Sequence, residues 1–320
     1  MRKIIDSHVT VFPQTLDPLL ERVSVGPLAK IRSRNFIDRA RQQVRRTGRK
    51  WFRPIAESLH KFQPLARVLP SSFRKGISSI EGLASLPSMM FEATASDLSE
   101  VMSENRVSLA VAVALPPFST NDFILREAVK NPNLIPVVSI ESDSPNPSQT
   151  LKRYASRGAR ALKIHTPEGV DWLQAAESLS LPVILQTGQL HLSLPGQPSG
   201  ESGAESYAPW FELYPRIRFL LTQMNDHLPV VALDLAERYK NIWLDTSRQP
   251  SEMIGEAVRR IGANRVLFAS GWPVGGSNVA VGLRRIQECV EMGWITEDEA
   301  TRVLGLNAAE FFGISKANAG

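Results

Sequence analysis

Residues able to do proton-transfer or nucleophilic chemistry recur where short apolar runs turn polar. In chain order they are Asp6, His8 and Thr10, then Lys163 and His165, then Gln186, then Gln223 with Asn225 and His227, then Asp245, and last Gly271 followed by Trp272. A lysine amine lined by apolar neighbours loses basicity, which suits it to act as a base, a Schiff-base nucleophile or an electrostatic clamp on a carboxylate. Imidazoles such as those of His8 and His165 carry protons at neutral pH, and the carboxylates Asp6 and Asp245 can orient them. Side chains two apart on a strand share a face, so Lys163 and His165 point to one pocket. Thr10, Gln186, Gln223, Asn225 and His227 can orient a substrate by hydrogen bonds, and Trp272 can wall it. Asp226 stands beside His227, although adjacent side chains seldom face each other. Glu141 and Asp143, after the third run, are weaker acid or base candidates, and His191 reads as a surface histidine.

The elements that must position these groups are short strands alternating with helices. From Ala159 to Gly188 the chain reads as one strand, helix, strand unit, with apolar runs at Ala161 to Ile164 and Val183 to Leu185 around the helical pattern GVDWLQAAESLS. Similar runs lie at Lys3 to Val11, Val107 to Leu115, Leu134 to Ile140, Arg216 to Met224, Asn241 to Ser247 and Arg265 to Pro273, which makes eight. Helical periods such as PVVALDLAERYK and PSEMIGEAVRRIG fall between most of them. Ser96 reads as the cap of the helix before the second strand, Thr296 caps a late helix, and Asn307 starts the last one. This alternation predicts an α/β fold, a (β/α)8 TIM barrel, whose chemistry sits at the carboxyl ends of the strands.

Taken in order, IIDSHVT, ALKIHT, PVILQTG, FLLTQM, NIWLDTS, RVLFASGWP and LGLNAAEFFGI resemble the amidohydrolase-related (amidohydrolase 2) branch of the amidohydrolase superfamily. The resemblance covers nearly the whole chain apart from about residues 12–95. It implies a barrel enzyme, a hydrolase or lyase of small carboxylated or cyclic compounds such as lactones, amides and aromatic acids. It also implies one or two divalent metals held by His-x-His on strand one, a His ending each of strands five and six, and an Asp ending strand eight. In this chain those positions read His8, Thr10, Gln186, Gln223 and Gly271, so only His8 is kept.

A neutral amide is a poor substitute for an imidazole at a metal, and glycine offers no donor. The resemblance places Lys163 where some members use a carbamylated lysine, and without neighbouring imidazole ligands it is expected to be a free amine. The expectation is therefore an enzyme with neither metal nor cofactor, working through Lys163, His8, Asp245 and His165, with Asp6 among the groups that bind a small, anionic substrate. A site remade from His8, His165 and Asp245 is one alternative. A catalytically inactive homologue serving as a partner or regulatory subunit is the other.

The chain has 320 residues, 43% hydrophobic and 22% charged, enough for one barrel domain over 1–320 with an insertion at 12–95. That insertion is basic. From Lys30 to Lys75 there are fourteen Lys or Arg against Asp38 and Glu57, so the rest of a chain of formal charge +5 stands at −7. Within it NFIDRARQQVRRTGRKWF forms a basic amphipathic helical pattern, suited to a cap over an anionic substrate, a dock for an acidic protein partner or a membrane-surface helix. Nucleic-acid binding is not expected, because interleaved aromatics are missing. The lone Cys289 excludes an internal disulfide, and no apolar run approaches the length of a membrane span. With no signal peptide read after Met1, a cytoplasmic location is expected, and homo-oligomerisation stays open.

Overall fold

The computed structural model describes residues 3–13, 53–55, 58, 88–89, 91–116, 118–140, 145–188 and 203–314. Most of the basic insertion, its amphipathic stretch, and Glu141, Asp143 and His191 lie outside them. Of the insertion, the Arg53 backbone N–H donates to buried Glu92 at 2.7 Å.

Eight parallel strands follow one another round a barrel in sequence order: β1 (Ile4–Val9), β2 (Val107–Val113), β3 (Leu134–Ser139), β4 (Ala161–Ile164), β5 (Val183–Leu185), β6 (Phe219–Leu221), β7 (Ile242–Asp245) and β8 (Val266–Leu267). The ladders run without a break from β1 to β8. Closure between β8 and β1 is irregular. It rests on backbone bonds from Ser7 to the Phe268 carbonyl, Gly271 to the His8 carbonyl and Thr10 to the Trp272 carbonyl, at 2.8–3.0 Å.

Both faces of such strands are buried, which is why they read as continuous apolar runs. Ile5, Val111, Ala161, Ile184, Leu220, Trp243 and Leu267 form one apolar cluster with the chain's last helix, and a larger cluster fills the space between strands and outer helices. The outer helices are α1 (Ala95–Glu104), α2 (Asn121–Lys130), α3 (Pro147–Ser156), α4 (Val170–Ser178), α5 (Ala208–Leu213), α6 (Pro229–Arg238), α7 (Ser251–Ile261), α8 (Val279–Glu291), α9 (Glu297–Thr301) and α10 (Asn307–Phe311). Cys289 lies buried on α8, its thiol donating to the Ser251 carbonyl at 3.1 Å. Among the described residues no helix is long and apolar enough to cross a membrane.

Two local expectations change, and a third holds. The cap of α1 is Thr94 and not Ser96, because Thr94 and Asp97 close a reciprocal capping box in which the carboxylate takes the Thr94 N–H and the Thr94 hydroxyl takes the Asp97 N–H. The run through Met224 is strand only to Leu221, after which the backbone turns left-handed. The final segment begins at a Thr296 capping box as expected, and Asn307 is the first residue of α10, which a π-turn at Arg302–Leu306 joins to α9. The Asn307 amide turns inward, donating to the Ala263 and Val266 carbonyls at 2.6 and 2.7 Å.

Candidate active site at the barrel mouth

The strand ends bring five of the ionisable groups together. Asp245, the last residue of β7, is fully buried and holds the centre. Its Oδ1 accepts from the Gln223 N–H at 2.7 Å and from the Ser247 N–H and hydroxyl at 3.0 and 2.6 Å. Its Oδ2 lies 3.3 Å from His8 Nδ1. A carboxylate at Nδ1 places the neutral ring's proton there and leaves Nε2 as the basic nitrogen. Burial holds the His8 pKa below the ordinary imidazole value; the Asp245 bond opposes this and nearby Lys163 adds to it.

Lys163 sits on β4 with its amine buried and, among the described residues, without a hydrogen-bond partner. Burial brings its pKa down to about 7, against the pull of Asp245 toward the charged form. His165, two residues on and partly exposed, is pushed down to about 3 by burial, with Lys163 and His8 adding to it. Its Nε2 lies 3.4 Å from the Ser139 hydroxyl. That hydroxyl already donates to the Ala114 carbonyl at 2.6 Å, so it accepts from His165 Nε2–H and leaves Nδ1 with the lone pair. Asp6 accepts at Oδ1 from the Ser270 and His8 N–H groups at 2.9 and 3.3 Å, while its Oδ2 has no hydrogen-bond partner among the described residues. Burial raises its pKa to about 7, opposed by those Ser270 and His8 bonds.

The wall after β6 is strained. Gln223, Met224, Asn225 and Asp226 all have positive φ, between 44° and 64°. Each such residue costs roughly 1–2 kcal/mol unless its surroundings impose the shape. Here they do. The Gln249 amide donates to both the Gln223 and Asp226 carbonyls, and Met224 is buried in the core. Gly188 lies against Asp226, where a Cβ would come within 2.6 Å of the Asp226 Cβ. The result is that Gln223 serves Asp245 through its main chain, while its side-chain Oε1 has no hydrogen-bond partner among the described residues.

The other expected residues are placed differently. Gln186 and Thr10 are buried at the ends of β5 and β1, with the Gln186 amide 3.5 Å from the Thr187 carbonyl. Asn225 spends both ends of its amide on the loop, accepting from Ala204 N–H at 3.0 Å and donating to the Leu228 carbonyl at 3.1 Å. The unusual backbone of Asp226 does let it face its neighbour, with His227 Nε2 at 3.2 Å, and Arg248 Nε lies 3.5 Å from its other oxygen. Trp272 is wholly buried in the outer apolar cluster. Ser139, Ser247, Ser270 and Gln249 were not singled out from sequence. Ser247 and Ser270 stand next to strand-end residues that were, whereas Ser139 and Gln249 carry no sequence signal of their roles. Tyr207 was also missed, and its hydroxyl donates to the His165 and Gln186 carbonyls at 3.3 and 3.0 Å, tying β4 to β5.

No curated protein matches the chain. Solved structures do. A 5-carboxyvanillate decarboxylase from Sphingomonas paucimobilis is 14% identical over 98% of this chain and 100% of its own, with a TM-score of 0.62. A dihydroxybenzoic acid decarboxylase from a Polaromonas species, solved with bound manganese, is 15% identical over 82% of this chain and 95% of its own, at 0.59. A probable 2-pyrone-4,6-dicarboxylic acid hydrolase from Acinetobacter baumannii is 14% identical over 98% and 100%, at 0.56. At these identities the likeness shows the fold alone.

The donor set present does not fit a divalent metal held in the way the resemblance implies. Among the described residues no three His, Cys, Asp or Glu side chains converge on one point, which also sets aside a site remade from His8, His165 and Asp245. Gly271, in the strand-eight aspartate position, has φ 72°, and a Cβ there would meet the Ser277 hydroxyl at 3.3 Å and the Ser247 Cβ at 3.4 Å. The fold and its strand-end motifs nonetheless agree with a sequence profile described as amidohydrolase that matches residues 5–314, and on that match the chain belongs to the amidohydrolase family.

Proposed function

We propose that this family member is a metal-independent hydrolase or lyase of a small carboxylated or cyclic compound, with Lys163 as its central group. The observation that carries the reading is the buried, unpartnered amine of Lys163 beside a carboxylate that every neighbour except the lysine has claimed. Leaving a buried polar group unpaired costs about 1–3 kcal/mol, and such costs persist where chemistry needs the group free. A catalytically inert barrel would have no such reason to keep it.

In this reading the amine acts as base or as clamp for a carboxylate or oxyanion. His8, oriented by Asp245, moves a proton through Nε2, and His165 offers Nδ1. Asp6 is poised to hold a proton at neutral pH, and Thr10, Gln186 and Gln223 orient the substrate. The decarboxylase and lactone-hydrolase names of the structural relatives support a small carboxylate as substrate. The test is turnover of a panel of lactones, amides and aromatic carboxylates with a chelator present. Activity that survives the chelator and disappears in Lys163→Ala is expected; activity that the chelator removes would overturn metal independence.

A further inference from the structure

Three features of Lys163 go beyond a base or a clamp. A clamp is a charged amine that keeps a counterion near, and here the counterion is withheld. Asp245 Oδ1 takes three donors from Gln223 and Ser247, and Oδ2 is taken by His8; among the described residues no carboxylate comes within hydrogen-bond reach of the amine. Buried lysines ordinarily pair with an acid or with several carbonyls, and among the described residues this one does neither. The histidines around it are fixed as proton acceptors by bonds on their far nitrogens, His8 by Asp245 and His165 by Ser139. His8 is also 12% exposed, so the cluster opens toward solvent on that side. A nucleophilic amine, acceptors to take its proton and a side open to water are the parts needed for imine chemistry.

We propose that Lys163 forms a Schiff base with the ketone carbon of a small 3-oxo carboxylic acid and that the resulting iminium draws out carbon dioxide. This rests on Lys163 being the centre of the proposed site, and it names the covalent role and the substrate class. The Nζ lone pair attacks the carbonyl carbon and the oxygen takes a proton. The nitrogen gives a proton to an acceptor such as His8 Nε2 or His165 Nδ1. A second protonation releases water and leaves the iminium. The pair of the bond to the carboxylate carbon then moves toward nitrogen, carbon dioxide departs, and an enamine remains. Protonation at carbon and addition of water release the ketone and restore the amine. The net change is one 3-oxo carboxylate anion and one proton to one ketone and carbon dioxide, with no oxidant, reductant or metal.

The experiment is reductive trapping. The full-length protein is incubated with acetoacetate, the smallest 3-oxo acid of this kind, or with acetaldehyde as a smaller carbonyl probe, in the presence of sodium borohydride, and then mapped by peptide mass spectrometry. The expected result is a reduced adduct on the peptide holding Lys163 from both probes, and its loss in Lys163→Met and Lys163→Arg, whose folding is checked by thermal melting. Absence of an adduct at Lys163 from either probe, or an equal yield of adducts in the variants, would overturn the inference. If adducts fail while turnover of the carboxylate panel still depends on Lys163, the covalent role falls and the base or clamp role stands. If adducts form and no member of the panel is turned over, the amine is confirmed as a nucleophile and the panel's reaction class is what falls.

Discussion

The two ends of this barrel are built to opposite rules. At the closed end α10 drives Phe311 against Trp243, rings 5.4 Å apart edge to face, with Ala308, Phe312 and the lower strand residues packed round them. There the Asn307 N–H groups join two carbonyls while its own side-chain oxygen finds no hydrogen-bond partner among the described residues, and a Cβ at Gly305 would collide with the Lys3 carbonyl oxygen, so the backbones meet directly. At the open end the Lys163 amine, Asp6 Oδ2 and Gln223 Oε1 are buried without hydrogen-bond partners among the described residues, and four consecutive residues hold left-handed backbone. One end stores stability and the other spends some of it on reactive groups.

Substitutions should separate the ends. The largest effect is expected for Lys163→Met, with turnover of any substrate found by the panel lowered on the order of 1000-fold, about 4 kcal/mol of transition-state stabilisation. The same change should raise thermal stability, because it removes a buried ionisable group. The pH dependence has a definite sign. Lys163 binds its proton more weakly in the folded state (about 7) than when unfolded (10.5), so its penalty is full below pH 7 and fades as pH rises toward 10.5. Asp6 binds its proton more strongly when folded (about 7) than unfolded (3.8), so its contribution is lost as pH rises from about 4 to 7. Together they put a dip near pH 7 in the unfolding free energy measured by denaturant titration. In Lys163→Met the alkaline rise should vanish while the acid limb stays. A Lys163→Met protein that loses activity and stability together would break the contrast between the ends.

Phe311→Ala should do the reverse, costing about 3–5 kcal/mol in denaturant unfolding with kcat of the folded fraction unchanged. Asn307→Ala, which strands two buried carbonyls, should cost about 1–3 kcal/mol by the same measurement. The smallest effect is expected for Gln249→Ala at the mouth. It frees the left-handed turn that presents the Gln223 N–H to Asp245, for a loss of about 1 kcal/mol. A roughly tenfold fall in kcat, with a shifted pH profile, would accompany it if Asp245 orients His8 as the geometry indicates. An unchanged pH profile would reduce Gln249 to a structural role.

The alternation of apolar runs and helical periods was enough to read eight strands and their order, because a strand buried on both faces must be apolar throughout and a covering helix must be amphipathic. Asp6, His8, Lys163, His165 and Asp245 were legible for the same reason: a polar residue ending such a run has only the barrel mouth to enter. The donor types at Gly271, Gln186 and Gln223 are likewise read directly, since donor chemistry belongs to the residue itself. What only the tertiary structure decided is who is bonded to whom. That Asp245 is shared among Gln223, Ser247 and His8, leaving Lys163 alone, depends on a left-handed turn that no local propensity favours at Gln223 or Met224. Gln249, Gly188 and the packing of Met224 hold that turn from outside its own sequence, so its shape is a property of contacts between distant segments.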